Sequence, residues 1–258
     1  MAIQGLELFK QRFAAYNNQF TLIGGVACHL ALEEAGLPFR ATKDLDIVLC
    51  VEVLTPEFAN ALRAFIEEAG YRDRQIGENE HQQQFYRFQN PQSKDYPFML
   101  ELFSRAPDGV ILQGQTLLTP IPMGEQAESL SAILLDADYY QCVSQGREII
   151  DEVPILGPEY ILPFKAKAWL DLTERREKGE QIDSKNIKKH RGDIFRLYGV
   201  LSPQQRVAIP SSIQADFGKF LDAMASEDVL NIKDFGIKTQ RLSDVLATLR
   251  IIYGLNND

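Results

Sequence analysis

The spacing of apolar positions changes along this chain, and each change marks an element. From Gly5 to Tyr16 the residues Leu6, Leu8, Phe9, Phe13 and Tyr16 fall near helical spacing, and Asn17-Asn18 closes the pattern. A short apolar run beginning at Thr21 predicts a strand that ends at Gly24-Gly25. Val26 to Ala35 then predicts a helix stopped near Gly36 and Pro38, where a C-cap glycine and a following proline belong. The run Asp44-Leu45-Asp46-Ile47-Val48-Leu49 predicts a second strand. Thr55 as N-cap and Pro56 at the first helical position open another helix, with Phe58, Leu62, Phe65 and Ile66 on one face until Gly70. Two aromatic-rich runs, 84–89 and 97–103, read as strands joined by the turn Asn90-Pro91-Gln92-Ser93.

Beyond these strands the pattern loosens and then becomes helical. Residues 105–157 are rich in turn formers; Ser131 to Tyr140 and Glu148 to Leu156 read as β segments, with Asp136 and Asp138 in a turn. Gly157-Pro158-Glu159 marks the switch. Glu159 to Lys178 carries Ile161, Phe164, Ala168 and Leu172 on one stripe, and Pro163 is tolerable because it lies in the first turn. Asp183 or Ser184 can cap a helix from Lys185 to Leu197, and further helical segments lie around Gln214–Ala225 and Leu242–Tyr253.

Composition narrows the class. At 258 residues the chain has length for one large domain or two modest ones, and 45% hydrophobic with 24% charged residues is the profile of ordinary globular proteins. No apolar run approaches the roughly 20 residues of a membrane helix, and the N-terminus, with Glu7 ahead of Lys10 and Arg12, lacks a signal-peptide core. A cytoplasmic protein with no membrane partner is the expectation. The net charge of −9 argues against non-specific coating of nucleic acid, which rests on a basic field. Cys28, Cys50 and Cys142 lack CxxC spacing, so neither a zinc site nor a disulfide framework is indicated. The three histidines, His29 and His190 among them, show neither metal-ligand spacing nor a Ser-His-Asp order.

The candidate chemistry gathers between Thr21 and Cys50. Gly24 and Gly25 lack a Cβ, so a phosphate can approach backbone N–H groups at the positive end of the following helix. Asp44 and Asp46, two apart on a strand, share one face about 6.6 Å apart along the backbone. Carboxylates that close stay ionised only beside a cation or donors, and Mg²⁺ or Mn²⁺ with a triphosphate meets that need. Glu101 stands inside the apolar run Phe98-Met99-Leu100-Glu101-Leu102-Phe103 and needs a partner, either a metal ion or Arg87 on the adjacent strand. Lys165 lies on the apolar stripe of its helix, where it either snorkels outward or points into a cleft toward a triphosphate; Lys167 is the competing choice. Lys185, Lys188, Lys189, His190 and Arg191 form the most basic segment, which either tracks an RNA backbone or is a solvated face.

Gly24-Gly25-x-Ala27, the pair Arg40-x-Thr42 and Asp44-x-Asp46 together resemble the signature of the nucleotidyltransferase superfamily, and the Arg-x-Thr-x-Asp-x-Asp form resembles its AbiEii toxin-like branch. The resemblance is concentrated in residues 20–50, returns at 97–103 and 159–198, and does not cover the last sixty residues. It implies an α/β (α+β) fold: a mixed sheet with flanking helices as a catalytic domain over 1–157, followed by a helical domain over 158–258. The implied activity is transfer of a nucleoside monophosphate from a nucleoside triphosphate to an acceptor hydroxyl. Asp44, Asp46 and Glu101 would hold the metal. Gly24, Gly25, Arg40 and Thr42 would bind the nucleotide, Thr42 orienting a phosphate oxygen or supporting the aspartates. Lys165, with Lys167 as the competing choice, would face the leaving group. Asp193 matches the family's late aspartate, or makes an i,i+4 pair with Lys189. The resemblance further implies an RNA acceptor, tRNA above all, and an antitoxin partner. A small-molecule acceptor, as in antibiotic-modifying relatives, and a non-catalytic binding module are the alternatives.

Overall fold

The computed structural model of the protein describes residues 3–74, 85–103, 136–227 and 230–255. Its described residues divide into two units. The first takes in the chain up to 103 together with 147–157, and the second takes in 136–146 and 158–255.

The first unit is built on a seven-stranded mixed sheet. Its strands are β1 (Phe20–Ile23), β2 (Asp44–Leu49), β3 (Asp73–Arg74), β4 (Phe85–Gln89), β5 (Met99–Phe103), β6 (Arg147–Ile150) and β7 (Val153–Leu156), in the order β3-β4-β5-β2-β1-β7-β6. β2 lies antiparallel to β1 and parallel to β5, while β4 is antiparallel to β5. Among the described residues, three α-helices accompany the sheet: α1 (Leu6–Phe13), α2 (Gly24–Glu34) and α3 (Pro56–Ala69). Their core is aromatic. Phe9, Phe13, Phe20, Phe58 and Phe65 pack mostly edge-to-face, with centroids 4.5–6.3 Å apart, an arrangement that favours ring quadrupoles as well as burying area. The mixed sheet with flanking helices is the fold class expected from the sequence.

α3 shows how local sequence sets an element's ends. The Thr55 hydroxyl accepts from the Phe58 amide at 3.3 Å, Pro56 follows at the first helical position, and Gly70 closes the helix in the left-handed region at φ 57°. Gln19 accepts from the Thr55 amide at 2.8 Å, tying the cap to the residue before β1. Thr55→Ala is expected to cost about 1 kcal/mol, the usual worth of a hydroxyl cap, read as a lowered urea midpoint with an unchanged slope.

Two expectations are corrected here. Residues 137–145 form a helix, α4 (Ala137–Gln145), rather than part of a β segment; 131–135 lie outside the described residues. Asp136 is not a turn residue but the cap of α4, its carboxylate accepting from the amides of Asp138 and Tyr139 at 2.9 and 3.3 Å. The buried residues Tyr139, Tyr140, Cys142 and Val143 fall at helical spacing, which a run this short hides among its aromatics. The stretch 148–156 is not one strand but the hairpin β6–β7. It turns on Asp151 and Glu152, both at positive φ (50° and 66°). Positive φ at both central residues is the mark of a type I′ hairpin turn, and Asp151-Glu152 is not the Asn-Gly or Asp-Gly pair that would announce one.

The second unit is helical: α4, α5 (Pro158–Glu177), α6 (Ser184–Tyr198), α7 (Ser211–Ala225) and α8 (Leu242–Ile252). Its core centres on Phe217, Phe220, Trp169 and Tyr253. α4 is fixed to it by Tyr139, whose ring packs edge-on to Phe164 and whose hydroxyl donates to Asp216 at 3.2 Å. Among the described residues, no helix is long and apolar enough to cross a membrane.

Candidate active site

The site is assembled by sheet register. Ile23, the last residue of β1, pairs with Asp46 on β2, so Gly24 enters α2 directly beside the Asp46 side chain. A Cβ on Gly24 would stand 1.8 Å from Asp46 Oδ2, and Gly24 itself is at φ 67°, in the region L-residues avoid. A Cβ on Gly25 would stand 2.6 Å from the Thr42 hydroxyl and 3.7 Å from an Arg40 guanidinium nitrogen. The space a Cβ would fill is taken, at both glycines, by the chain's own side chains. The glycines let Asp46, Thr42 and Arg40 close on the first turn of α2. That turn has no side-chain cap. Gly24→Ala is expected to cost about 2 kcal/mol from the backbone region and to displace the Asp46 carboxylate, measurable as a lowered melting temperature.

Asp44 and Asp46 alternate with buried Leu45 and Ile47 on β2, both half-buried and both on the same face. Across β5, Glu101 pairs in register with Asp46; across β4, Arg87 pairs in register with Glu101. Arg87, Glu101 and Asp46 thus form one row across three strands. Glu101 is 6% exposed, and Arg87 Nε and Nη2 both lie 2.6 Å from its Oε1. Burial, and then the Asp46 carboxylate that shares a hydrogen bond with it, push the Glu101 pKa well above the ordinary carboxylate range, against the opposing pull of Arg87. Of the two partners read from the sequence, the structure shows the arginine.

Asp44 and Asp46 present hard carboxylate oxygens, the donor set that Mg²⁺ or Mn²⁺ takes together with water and phosphate. The room over Gly24 that seats Asp46 at the end of α2 fits that use. A three-carboxylate cluster does not. Among the described residues no group of three or more His, Cys, Asp or Glu side chains is placed to hold a metal ion. Arg40 and Thr42 flank the aspartates on the segment leading into β2. The Arg40 guanidinium lies 4.8 Å from the Phe39 ring centroid, and Thr42 also lines a cleft of about 220 Å³ bounded by His29, Glu33, Pro38 and Phe39.

The remaining candidates lie in the second unit. Lys165 does not snorkel: it is 6% exposed and its ammonium lies 3.2 Å from Asp193 Oδ2. Asp193 is fully buried, and Arg196 reaches its other oxygen at 3.6 Å. Gly192, the residue before Asp193, leaves room for that arginine. A Cβ there would stand 2.9 Å from Arg196 Nη1, and the guanidinium rests 5.1 Å from the Phe235 ring centroid. Lys167 is held at 2.8 Å by Asp216. The basic segment thins on inspection, because Arg191 is bound to Glu227, while Lys185 and Lys188 are its exposed cations. The sequence reading missed Arg196 and Asp216. Arg196 sits at i+3 from Asp193, a spacing that does signal a pair on a helix; Asp216 offers no such signal.

No protein-family model matches the chain, and no curated protein matches it. Among solved structures, the chain is similar to the solution structure of the antibiotic-resistance factor ANT(2'')-Ia. Identity is 16% over 85% of this chain and 91% of that one, with a TM-score of 0.34.

Proposed function

We propose that the chain is a divalent-metal-dependent nucleotidyltransferase that moves a nucleoside monophosphate from a nucleoside triphosphate to an acceptor hydroxyl. One observation carries this reading: two same-face aspartates on β2, one of them seated by Gly24 against the uncapped first turn of α2. Anionic oxygens beside a helix N-terminus place hard donors and phosphate-binding N–H groups at one spot, which is the need of a metal–triphosphate substrate.

Asp44 and Asp46 would hold the ion. When bound, it neutralises the triphosphate and makes an acceptor hydroxyl easier to deprotonate. The backbone N–H groups opening α2 hold phosphate oxygens. Arg40 adds charge at that turn, and Thr42 fixes the segment that leads into Asp44. The acceptor oxygen bonds to the α-phosphorus as the bond to the bridging oxygen breaks; pyrophosphate leaves and the hydroxyl proton passes to water. An RNA hydroxyl is the acceptor that the sequence resemblance implies, with an antitoxin as its regulatory partner. The proposal itself rests on the first unit alone.

The test is label transfer. Purified chain, Mg²⁺ and each α-labelled nucleoside triphosphate are incubated in turn with total cellular RNA and, separately, with a panel of hydroxyl-bearing small molecules. Label on RNA supports the full reading. Label on a small molecule alone keeps the enzyme class and replaces the acceptor. No label with either, and no triphosphate binding, leaves the non-catalytic module.

A further inference from the structure

Next to the two aspartates that share one face of β2, the structure holds an organic cation on the neighbouring carboxylate, Glu101. Arg87 is 13% exposed at its side chain and Glu101 8%, and two guanidinium nitrogens lie at 2.6 Å from the same carboxylate oxygen. A guanidinium stays charged at every working pH, and its fork, engaged at two points inside the protein, holds a carboxylate against competition. On its other side Glu101 faces Asp46, its register partner on β2. Register fixes both contacts, since Arg87, Glu101 and Asp46 occupy one row across β4, β5 and β2.

We propose that Arg87 takes the place of a second metal ion at this site, so that Asp44 and Asp46 hold a single divalent cation and Glu101 is a positioning residue rather than a ligand. The inference rests on the nucleotidyl-transfer reading above. Glu101 orients the Asp46 carboxylate from one side while Gly24 seats it from the other. Arg87 balances the charge of Glu101, leaving the two aspartates as the anionic pair that takes the ion.

The test counts ions rather than turnover: Mn²⁺ alone is titrated into the full chain, with free Mn²⁺ followed by electron paramagnetic resonance. The wild-type chain binds one Mn²⁺. The double variant R87Q/E101Q replaces an ion pair with a neutral pair; glutamine keeps the shape of Glu101 and an amide that can still orient the Asp46 carboxylate, so the variant binds one Mn²⁺ with a Kd within about threefold, whereas removing an orienting group or a ligand outright costs about tenfold or more. R87Q alone leaves a second uncompensated carboxylate beside Asp46, and either binds two Mn²⁺ or tightens the first by about tenfold. Two Mn²⁺ on the wild-type chain, a tenfold loss in the double variant, or wild-type count and affinity in folded R87Q would each overturn the proposal. If R87Q does not fold, the double variant decides alone. A chain carrying D44N and D46N that still binds Mn²⁺ as the wild type does would overturn the metal site itself, and with it the nucleotidyl-transfer reading.

Discussion

Replacing Asp46 with asparagine is expected to lower nucleotidyl transfer about a thousandfold or more while leaving the chain at least as stable as before. The first half follows from what the carboxylate holds. A bound cation contributes several kcal/mol to stabilising charge in the transition state, and each 1.4 kcal/mol or so is a factor of about ten in rate. The second half follows from what it repels. Asp46 is the second-largest cause, after burial, of the raised proton affinity of Glu101, so the native chain holds two carboxylates in mutual conflict. Asparagine keeps the shape that Gly24 accommodates and removes the conflict. Relieving that conflict is expected to raise the melting temperature rather than lower it. Rate and melting temperature are to be measured on the same preparation. A purely structural Asp46 predicts the reverse pair of results: a lowered melting temperature, and no transfer in the wild type to lose.

The aspartates were legible from the sequence because a strand's two-residue period is a local rule: Asp44-x-Asp46 in an apolar run shares a face whatever surrounds it. Gly24-Gly25 was legible as a close approach, but not what approaches. A glycine announces a missing Cβ but not what fills the space, and here the occupant is set by the pairing of Ile23 with Asp46, a long-range register. Glu101 shows the same limit. Its need for a partner could be read from the apolar run around it, and Arg87 stood among the choices, but only the β4–β5 register sets that guanidinium against it. Residues 137–145 were lost to a different competition. Two tyrosines after an Asp-x-Asp resemble a turn entering a strand, yet the Asp136 carboxylate satisfies the amides of Asp138 and Tyr139 and starts a helix.

Lys165 and Asp193 raise the question of whether a buried ion pair serves stability or chemistry, and their substitutions are expected to separate the two. Asp193→Ala removes the carboxylate 3.2 Å from an ammonium that is 6% exposed. Taking one partner from such a pair costs about 3–5 kcal/mol, since the remaining charge keeps its desolvation and loses its compensation. Urea unfolding of the variant should show a loss of that size. Arg196, at 28% side-chain exposure, can turn toward water and adds little to the cost. The double variant Lys165→Met, Asp193→Leu exchanges the pair for apolar residues of similar volume, and such exchanges are often neutral or stabilising, so its stability is expected to lie within about 1 kcal/mol of the wild type. That near-neutrality makes the double variant informative. A chain that unfolds at the wild-type urea concentration yet transfers no nucleotide would show that the charges act on the substrate. One that keeps wild-type transfer would show that Lys165 and Asp193 answer only to each other, and would remove both from the catalytic set.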